Sequence, residues 1–270
     1  MAARDHMTPL RLYWWNAVPN FGDAISPVIV GHLAGREVRH AAPKDAEMFA
    51  IGSLLNVVRR VFTEGTPPDT RPVIWGSGAL RAIRGDRLMG KVQFALVRGP
   101  VTASLLGIET DSFGDPGLLI SDVWPAGGQR REALGFLPHH SLMDDPDTQA
   151  FVRAHPELTL IDPRDPADQV CEAIAGCRHV FASSLHGLVV ADAYGVSNTW
   201  VDPKGQGRLK YHDYAASLGR DMRAPLPLDA VADHTLPDPD APLPYQPAID
   251  AARAALRRSF PVQLRQEHAA

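Results

Sequence analysis

His186 lies in the string Ser183–Ser184–Leu185–His186–Gly187, between a strand-like run, "HVFASS", and a long apolar stretch, "HGLVVADAY". That spacing puts an imidazole at or near the first turn of a helix. Free backbone N–H groups there attract anions. A bound anion raises the pKa of a nearby imidazole. A histidine so placed can hold an anion and donate a proton near neutral pH. Ser183 and Ser184 count with it as candidate anion contacts, and Gly187 removes a side chain where a ligand or a second backbone would approach. The same residues also allow a structural role, in which a serine caps the helix and His186 packs on the strand.

Four further clusters could serve such a site. In Asn20–Phe21–Gly22–Asp23, Asn20 and Asp23 can bind hydroxyls or handle a proton, with Gly22 meeting a turn requirement; Asp23 as a simple helix cap is the alternative. Arg98 in "VRGP" ends an apolar run at a helix start, a suitable fork for phosphate or carboxylate, unless it is merely solvated. Asp115 in "GDPGLL" is a second candidate base, or part of a tight turn. "GQGRLKYHDY" places Arg208, Lys210 and Tyr211 after a glycine-rich turn, where a mobile loop would close over an anionic substrate. "WGSG", residues 75–78, offers a small-residue strand end but lacks the three-glycine dinucleotide spacing. His139 and His140 have no spaced partner resembling a metal site, and no metal is expected.

Short apolar runs alternating with helical stretches predict an α/β protein with parallel strands. Strands are predicted at Leu10–Trp15, "MFAIGS", "PVIWGSG", "FALVRGP", "ALGFLPHH", "LTLIDP", "HVFASS" and "NTWVD", with a short strand and turn at "SFGDPGLL". Helices are predicted over 24–33, from Pro100 to a stop at Gly107, after an Asp165 cap with Pro166 at the first position, and over 248–260. Val170, Ile174 and Cys177 fall on one helix face; Ile249, Ala252, Leu256 and Phe260 form the stripe of the last helix. In open parallel sheets ligands sit beyond the carboxyl ends of strands, and every cluster above falls at such an end. Three segments follow: an N-terminal lobe over 8–125, a second lobe over 126–222 opened by the Pro/Gly/Arg-rich stretch 124–131, and a proline-rich linker with a crossing helix over 223–270.

With 270 residues, 45% apolar and 21% charged, the chain can bury a core without staples. A net charge of -4 argues against a general nucleic-acid binder. Arginine outnumbers lysine, which suits planar clamping of carboxylate or phosphate. Cys171 and Cys177 form no zinc or redox pattern and are expected to be reduced, as in a cytoplasmic protein. No run approaches the ~20 residues of a membrane span, and 1–7 lack a signal-peptide core.

Taken in order, Asn20, Gly22 and Asp23, "VRGP" with Thr102, "GDPGLL", and "SSLHGLVVADAYG" resemble the polysaccharide pyruvyl transferase family, over the chain from the first strand to about Tyr214. "WGSG" and "KYHDY" are most similar to the bacterial ketal-pyruvate transferases of exopolysaccharides such as xanthan and succinoglycan. The resemblance implies two Rossmann-like lobes facing a cleft, as in GT-B glycosyltransferases, with a C-terminal helix packing back across the body. It implies phosphoenolpyruvate as donor, with no cofactor. The acceptor would be a sugar, usually in a lipid-linked oligosaccharide, met by peripheral contact at the inner face of the membrane, and the product a cyclic pyruvate ketal. It assigns His186 as proton donor, Asp23 or Asp115 as base, and Asn20 as acceptor guide. One departure stands out: many members carry arginine where this chain has Ser184, so Arg98 and Lys210, then Arg208, are the candidate replacements. A nucleotide-sugar glycosyltransferase of the same fold and a non-catalytic glycan-binding protein are the competing expectations.

Overall fold

The computed structural model of the protein describes residues 8–127, 133–238 and 241–266. Residues 128–131 of the predicted crossing stretch lie outside the described residues. The first half runs β1 (Leu10–Tyr13), α1 (Phe21–Ala34), β2 (Val38–His40), β3 (Met48–Phe49), α2 (Leu55–Val61), β4 (Val73–Trp75), β5 (Gln93–Leu96), α3 (Pro100–Leu106) and α4 (Ile120–Val123). The second runs β6 (Ala133–Leu137), α5 (Pro146–Ala154), β7 (Leu158–Leu160), α6 (Ala167–Ala175), β8 (Cys177–Ala182), α7 (Leu185–Ala193), β9 (Ser197–Trp200), α8 (Leu209–Ser217) and α9 (Gln246–Ser259). The expected α/β class with parallel strands is what forms.

Each half holds one all-parallel sheet. The first has the order β2-β1-β3-β4-β5 and the second β7-β6-β8-β9. Both are doubly wound, Rossmann-like arrangements. Their strand order reverses between β1 and β3 and between β6 and β8. Such switch points open a crevice at the strand carboxyl ends, where no connecting segment closes the space.

The halves share a core. One buried cluster runs from Leu10 and Ile25 through Leu118 and Leu119 to Leu188, Val189 and Leu256. The 3-10 turn Pro116–Leu119 packs against α1, α7 and α9 alike. A fully buried leucine contributes about 1.5–3 kcal/mol, so "GDPGLL" acts as a wedge; the short strand expected there reduces to a single bridge, Val97 to Phe113. Helix α9 spans both halves. Trp75 Nε1 donates to the Leu256 carbonyl at 3.1 Å, and Arg253 donates to the Ala193 carbonyl at the end of α7 at 3.3 Å. Ile249, Ala252, Leu256 and Phe260 are buried as the stripe predicts.

Several local expectations are corrected. Pro166, not Asp165, precedes α6, and the Asp165 N–H instead turns back to the Asp162 carbonyl. Cys177 is not on α6, which ends at Ala175; it opens β8, so it and Cys171 sit on different elements. Helices α2 and α5 are not predicted, although Asp145 caps α5 through the Thr148 N–H at 2.9 Å with Pro146 next. The segment expected as a mobile cation-bearing loop is mostly helix α8, whose Tyr211 and Asp213 are fully buried. A buried aromatic and a buried carboxylate anchor it, so it is wall rather than lid.

Candidate active site

Both switch points open onto one cavity of about 150 Å³. From the first half come Asn20 and Asp23 after β1, Gly52 and Ser53 after β3, and Leu80 after β4; from the second come His139 and His140 after β6, Ser184 to His186 after β8, and Lys210 from α8.

Helix α7 is apolar all round because it is buried on every side. Two polar residues on it behave differently. Asp192 is fully satisfied: Asn198 Nδ2, Tyr214 Oη and Tyr245 Oη donate to it at 2.7, 2.7 and 2.9 Å, with Arg220 at 3.3 Å. His186 is also buried, yet its Nε2 has no partner. Buried polar atoms are nearly always paired, so an orphaned ring nitrogen on a residue that lines the cavity makes His186 a candidate ligand contact. Ser184 precedes α7 without capping it through its side chain, which leaves the dipole of this first turn to the cavity.

Gly22 is required by this ring. A Cβ there would stand 2.2 Å from His186 Nδ1, so the glycine of "NFGD" meets a close approach between α1 and α7 rather than a turn. Gly187 is expected to admit a ligand or a second backbone, and the neighbours it meets are side chains of the second sheet. Its missing side chain accommodates Ala182 and Leu137 of the sheet beneath, with a Cβ only 2.9 Å from Ala182 Cβ. Gly187 is not among the residues that line the cavity.

Asn20 caps α1 by accepting from the Gly22 N–H at 3.4 Å and donates from Nδ2 to Asp23 Oδ2 at 2.7 Å. Burial pushes the Asp23 carboxyl up to about 6, against the opposing pull of Asn20 and Lys210. Lys210 Nζ lies 5.1 Å over the Tyr211 ring. Burial first, then Arg98, lowers its pKa to about 8, while Asp23 favours its charge. His186 is held down to about 3, chiefly by burial and then by Lys210, Arg98 and His139. The protein groups alone therefore keep the ring neutral. The expectation of a protonated His186 depends wholly on the anion that would sit beside it.

Three expected contacts lie behind the wall. Arg98 is neither solvated nor open to the cavity. Its Nε donates to Asp213 Oδ2 at 3.0 Å, Nη1 to Ser53 Oγ at 3.0 Å and Nη2 to the Ala79 carbonyl at 3.1 Å, with both charged side chains at 0% exposure. The Thr102 N–H and hydroxyl donate to the same carboxylate at 2.8 and 2.6 Å. "VRGP", Thr102 and the Asp of "KYHDY" are thus one buried node joining α3 to α8. Arg98 reaches the cavity only through its charge and through Ser53. Gly78 of "WGSG" is there for that guanidinium, 2.3 Å from where its Cβ would be. Tyr211 is buried as well, donating to the Ser183 carbonyl at 2.6 Å and stacked on Trp200. Ser183 itself faces His139, whose N–H it accepts at 2.8 Å. Arg208 is half exposed, 3.8 Å from Asp202, and is not among the lining residues.

Asp115 is likewise enclosed. Its Oδ1 accepts the Gly117 N–H at 3.0 Å, Oδ2 has no partner, and burial raises its pKa from 3.8 to about 6 despite Arg98. It does not line the cavity, so it is removed from direct base duty. A raised folded-state pKa means stability is full below about pH 4 and declines as pH rises towards 6. Each pKa unit is about 1.4 kcal/mol, so ionisation costs the fold on the order of 3 kcal/mol. Asp115→Asn is expected to be more stable than the parent at pH 8 by about 1–3 kcal/mol, with the gap closing at pH 4. Urea titrations at the two pH values check this; a pH-independent difference refutes it.

His139, His140 and Ser53 were not among the residues singled out for the site. Their signal was position: each follows a strand flanking a switch point. Among the described residues, no group of three or more His, Cys, Asp or Glu is placed to hold a metal ion, and no helix is long and apolar enough to cross a membrane.

A polysaccharide pyruvyl transferase family profile matches residues 64–205, over half of the chain. The succinoglycan biosynthesis protein ExoV of Rhizobium meliloti (strain 1021) is 29% identical over 227 residues, covering 82% of this chain and 69% of that protein. An uncharacterized protein of Acanthamoeba polyphaga mimivirus is 26% identical over 162 residues, 54% of this chain and 55% of its own length. No solved structure matches. The profile covers more than half of the chain and includes "VRGP", "GDPGLL" and the "SSLHG" wall of this cavity, and it makes this chain a transferase of the polysaccharide pyruvyl transferase family.

Proposed function

We propose that the protein transfers pyruvate from phosphoenolpyruvate to a sugar of an exopolysaccharide repeat unit, forming a cyclic ketal, in a GT-B-like cleft between lobes divided near residue 125. The observation that carries this is the cavity itself: an orphaned imidazole, a helix start with no side-chain cap, Lys210 and Asp23 converge from two switch points. Its size supports a three-carbon donor. Pockets for larger ligands run about 300–1,000 Å³, so a nucleotide sugar is a poorer fit to about 150 Å³. A lipid-linked oligosaccharide would present its sugar from outside, by peripheral contact at the cytoplasmic face of the membrane.

The enol methylene takes a proton and becomes the methyl group. One sugar hydroxyl adds to the adjacent carbon and loses its proton to a base. Phosphate leaves with its bonding electrons, and the second hydroxyl closes the ketal, its proton passing to phosphate or solvent. His186 is neutral until the donor's phosphate and carboxylate raise its pKa. It then becomes an acid only when the substrate is in place. Asp23 is the base, with Asn20 holding its other oxygen and guiding the acceptor. Lys210 supplies the cation, and Arg98 adds long-range positive charge from behind the wall.

The deciding test is phosphate release from phosphoenolpyruvate across a panel of glycans; no release with any acceptor overturns the proposal. Lys210→Met is expected to raise KM for the donor about 10-fold or more with a smaller loss in kcat. The pH profile of kcat/KM reports the free enzyme's groups. It should fall above about 8 as Lys210 loses its proton and below about 6 as Asp23 gains one. Lys210→Met should abolish the alkaline limb only. A variant that keeps both limbs contradicts the assignment.

A further inference from the structure

The cavity holds three imidazoles, and one is wired differently from the others. His139 is tied down on both sides. Its backbone N–H donates to Ser183 Oγ at 2.8 Å, while its ring Nδ1 accepts the Ser141 N–H at 3.3 Å and lies 2.9 Å from Ser141 Oγ. This ring caps the short 3-10 turn His140–Leu142. A ring nitrogen that accepts a backbone N–H carries no proton, so the neutral ring must keep its proton on Nε2. The Nδ1 edge is taken by the turn, which leaves the Nε2 edge for the cavity that His139 lines. The neighbours oppose protonation: Lys210 and the His140 ring, 4.2 Å away, lower the pKa to about 3 together with burial, the largest cause. His186 has no such tie on either ring nitrogen among the described residues, and its Nε2 is orphaned.

We propose that His139 is a substrate-binding residue whose tautomer is locked by the Ser141 turn, so that Nε2–H donates a hydrogen bond to an anionic oxygen of the donor without giving up its proton. The identity of the ligand rests on the function proposed above; the lock does not. Two rings in one cavity then divide the work. His186 changes protonation state, and His139 stays a constant donor. This also places a neutral hydrogen-bond donor near Ser184, whose own side chain carries no charge.

The experiment uses the full chain with 15N-labelled histidine, the His139 signals assigned by their loss in His139→Gln. Expected are an unprotonated Nδ1 and a protonated Nε2, unchanged between about pH 5 and 8, with Nε2 shifting when phosphoenolpyruvate is added. A ring that titrates near 6.5, or that carries its proton on Nδ1, overturns the proposal. In parallel, His139→Ala should weaken phosphoenolpyruvate binding by calorimetry about 10–100-fold, the range for a hydrogen bond to a charged group, with kcat falling less. His139→Gln retains an amide donor and should recover part of the loss. If the parent binds the donor and His139→Ala binds it equally well, this inference alone fails. If the parent binds no phosphoenolpyruvate, the proposed function fails and the ligand named here fails with it.

Discussion

His186→Ala is expected to lower kcat by about 10²–10⁴-fold, the usual contribution of a positioned general acid, while the protein stays folded. The ring's Nε2 has no protein partner, so its removal orphans no other group. What is lost in packing is its contact on Gly22, across which α1 and α7 keep their joint grip on the Pro116–Leu119 wedge. Donor KM should change less than kcat, because Lys210 and the α7 start remain. Steady-state phosphate release beside a thermal melt checks both halves of the expectation. Turnover within a few-fold of the parent would remove His186 from the chemistry. A collapsed melt would instead assign it to the core. His186→Gln, polar but unable to titrate near neutral pH, separates these outcomes, since it should fold normally and still be slow.

Asp213→Ala should give the largest loss of stability, roughly 3–5 kcal/mol, because it leaves the Arg98 guanidinium charged and buried without its carboxylate. The Thr102 N–H and hydroxyl lose their acceptor in the same step. For a chain of this size that corresponds to a fall in melting temperature on the order of 10 °C. Replacing Arg98 and Asp213 together by apolar residues should cost less than Asp213→Ala alone, since no unpaired charge remains. Denaturant titration of the single and double variants measures the difference. If Asp213→Ala costs under about 1 kcal/mol, α8 is not held to α3 by this node, and the placement of Lys210 needs another explanation.

Much of the scaffold was legible in the sequence because it depends on short-range rules. Short apolar runs located most strands and α7, Pro100 and Gly107 bracketed α3, and the stripe on α9 is the face that is buried. The misreadings have local causes too. "GQGRLKYHDY" looks like a solvated loop because its charges and hydroxyls outweigh its apolar content, yet Asp213 and Tyr211 are buried by partners more than a hundred and nearly thirty residues away. Helix α5 carried a readable cap at Asp145 but too weak a stripe to stand out. Glycines were the least transparent. "NFGD", "WGSG" and "LHG" each place one where a side chain of another element must fit, and no rule of turn chemistry identifies His186, Arg98 or Ala182 as that side chain.

The motifs, their order and their position at strand carboxyl ends were determined by the sequence alone, since propensity and periodicity act over a few residues. Which motif residues face a ligand and which face each other was decided only by the tertiary structure. Arg98 and Lys210 are both cations at element starts, but one is sealed by a carboxylate on α8 and the other is left beside Asp23 on the cavity wall. That division arises because two switch points in separate sheets must be brought together before there is a cavity to face, and desolvation then sets the charge of every group around it.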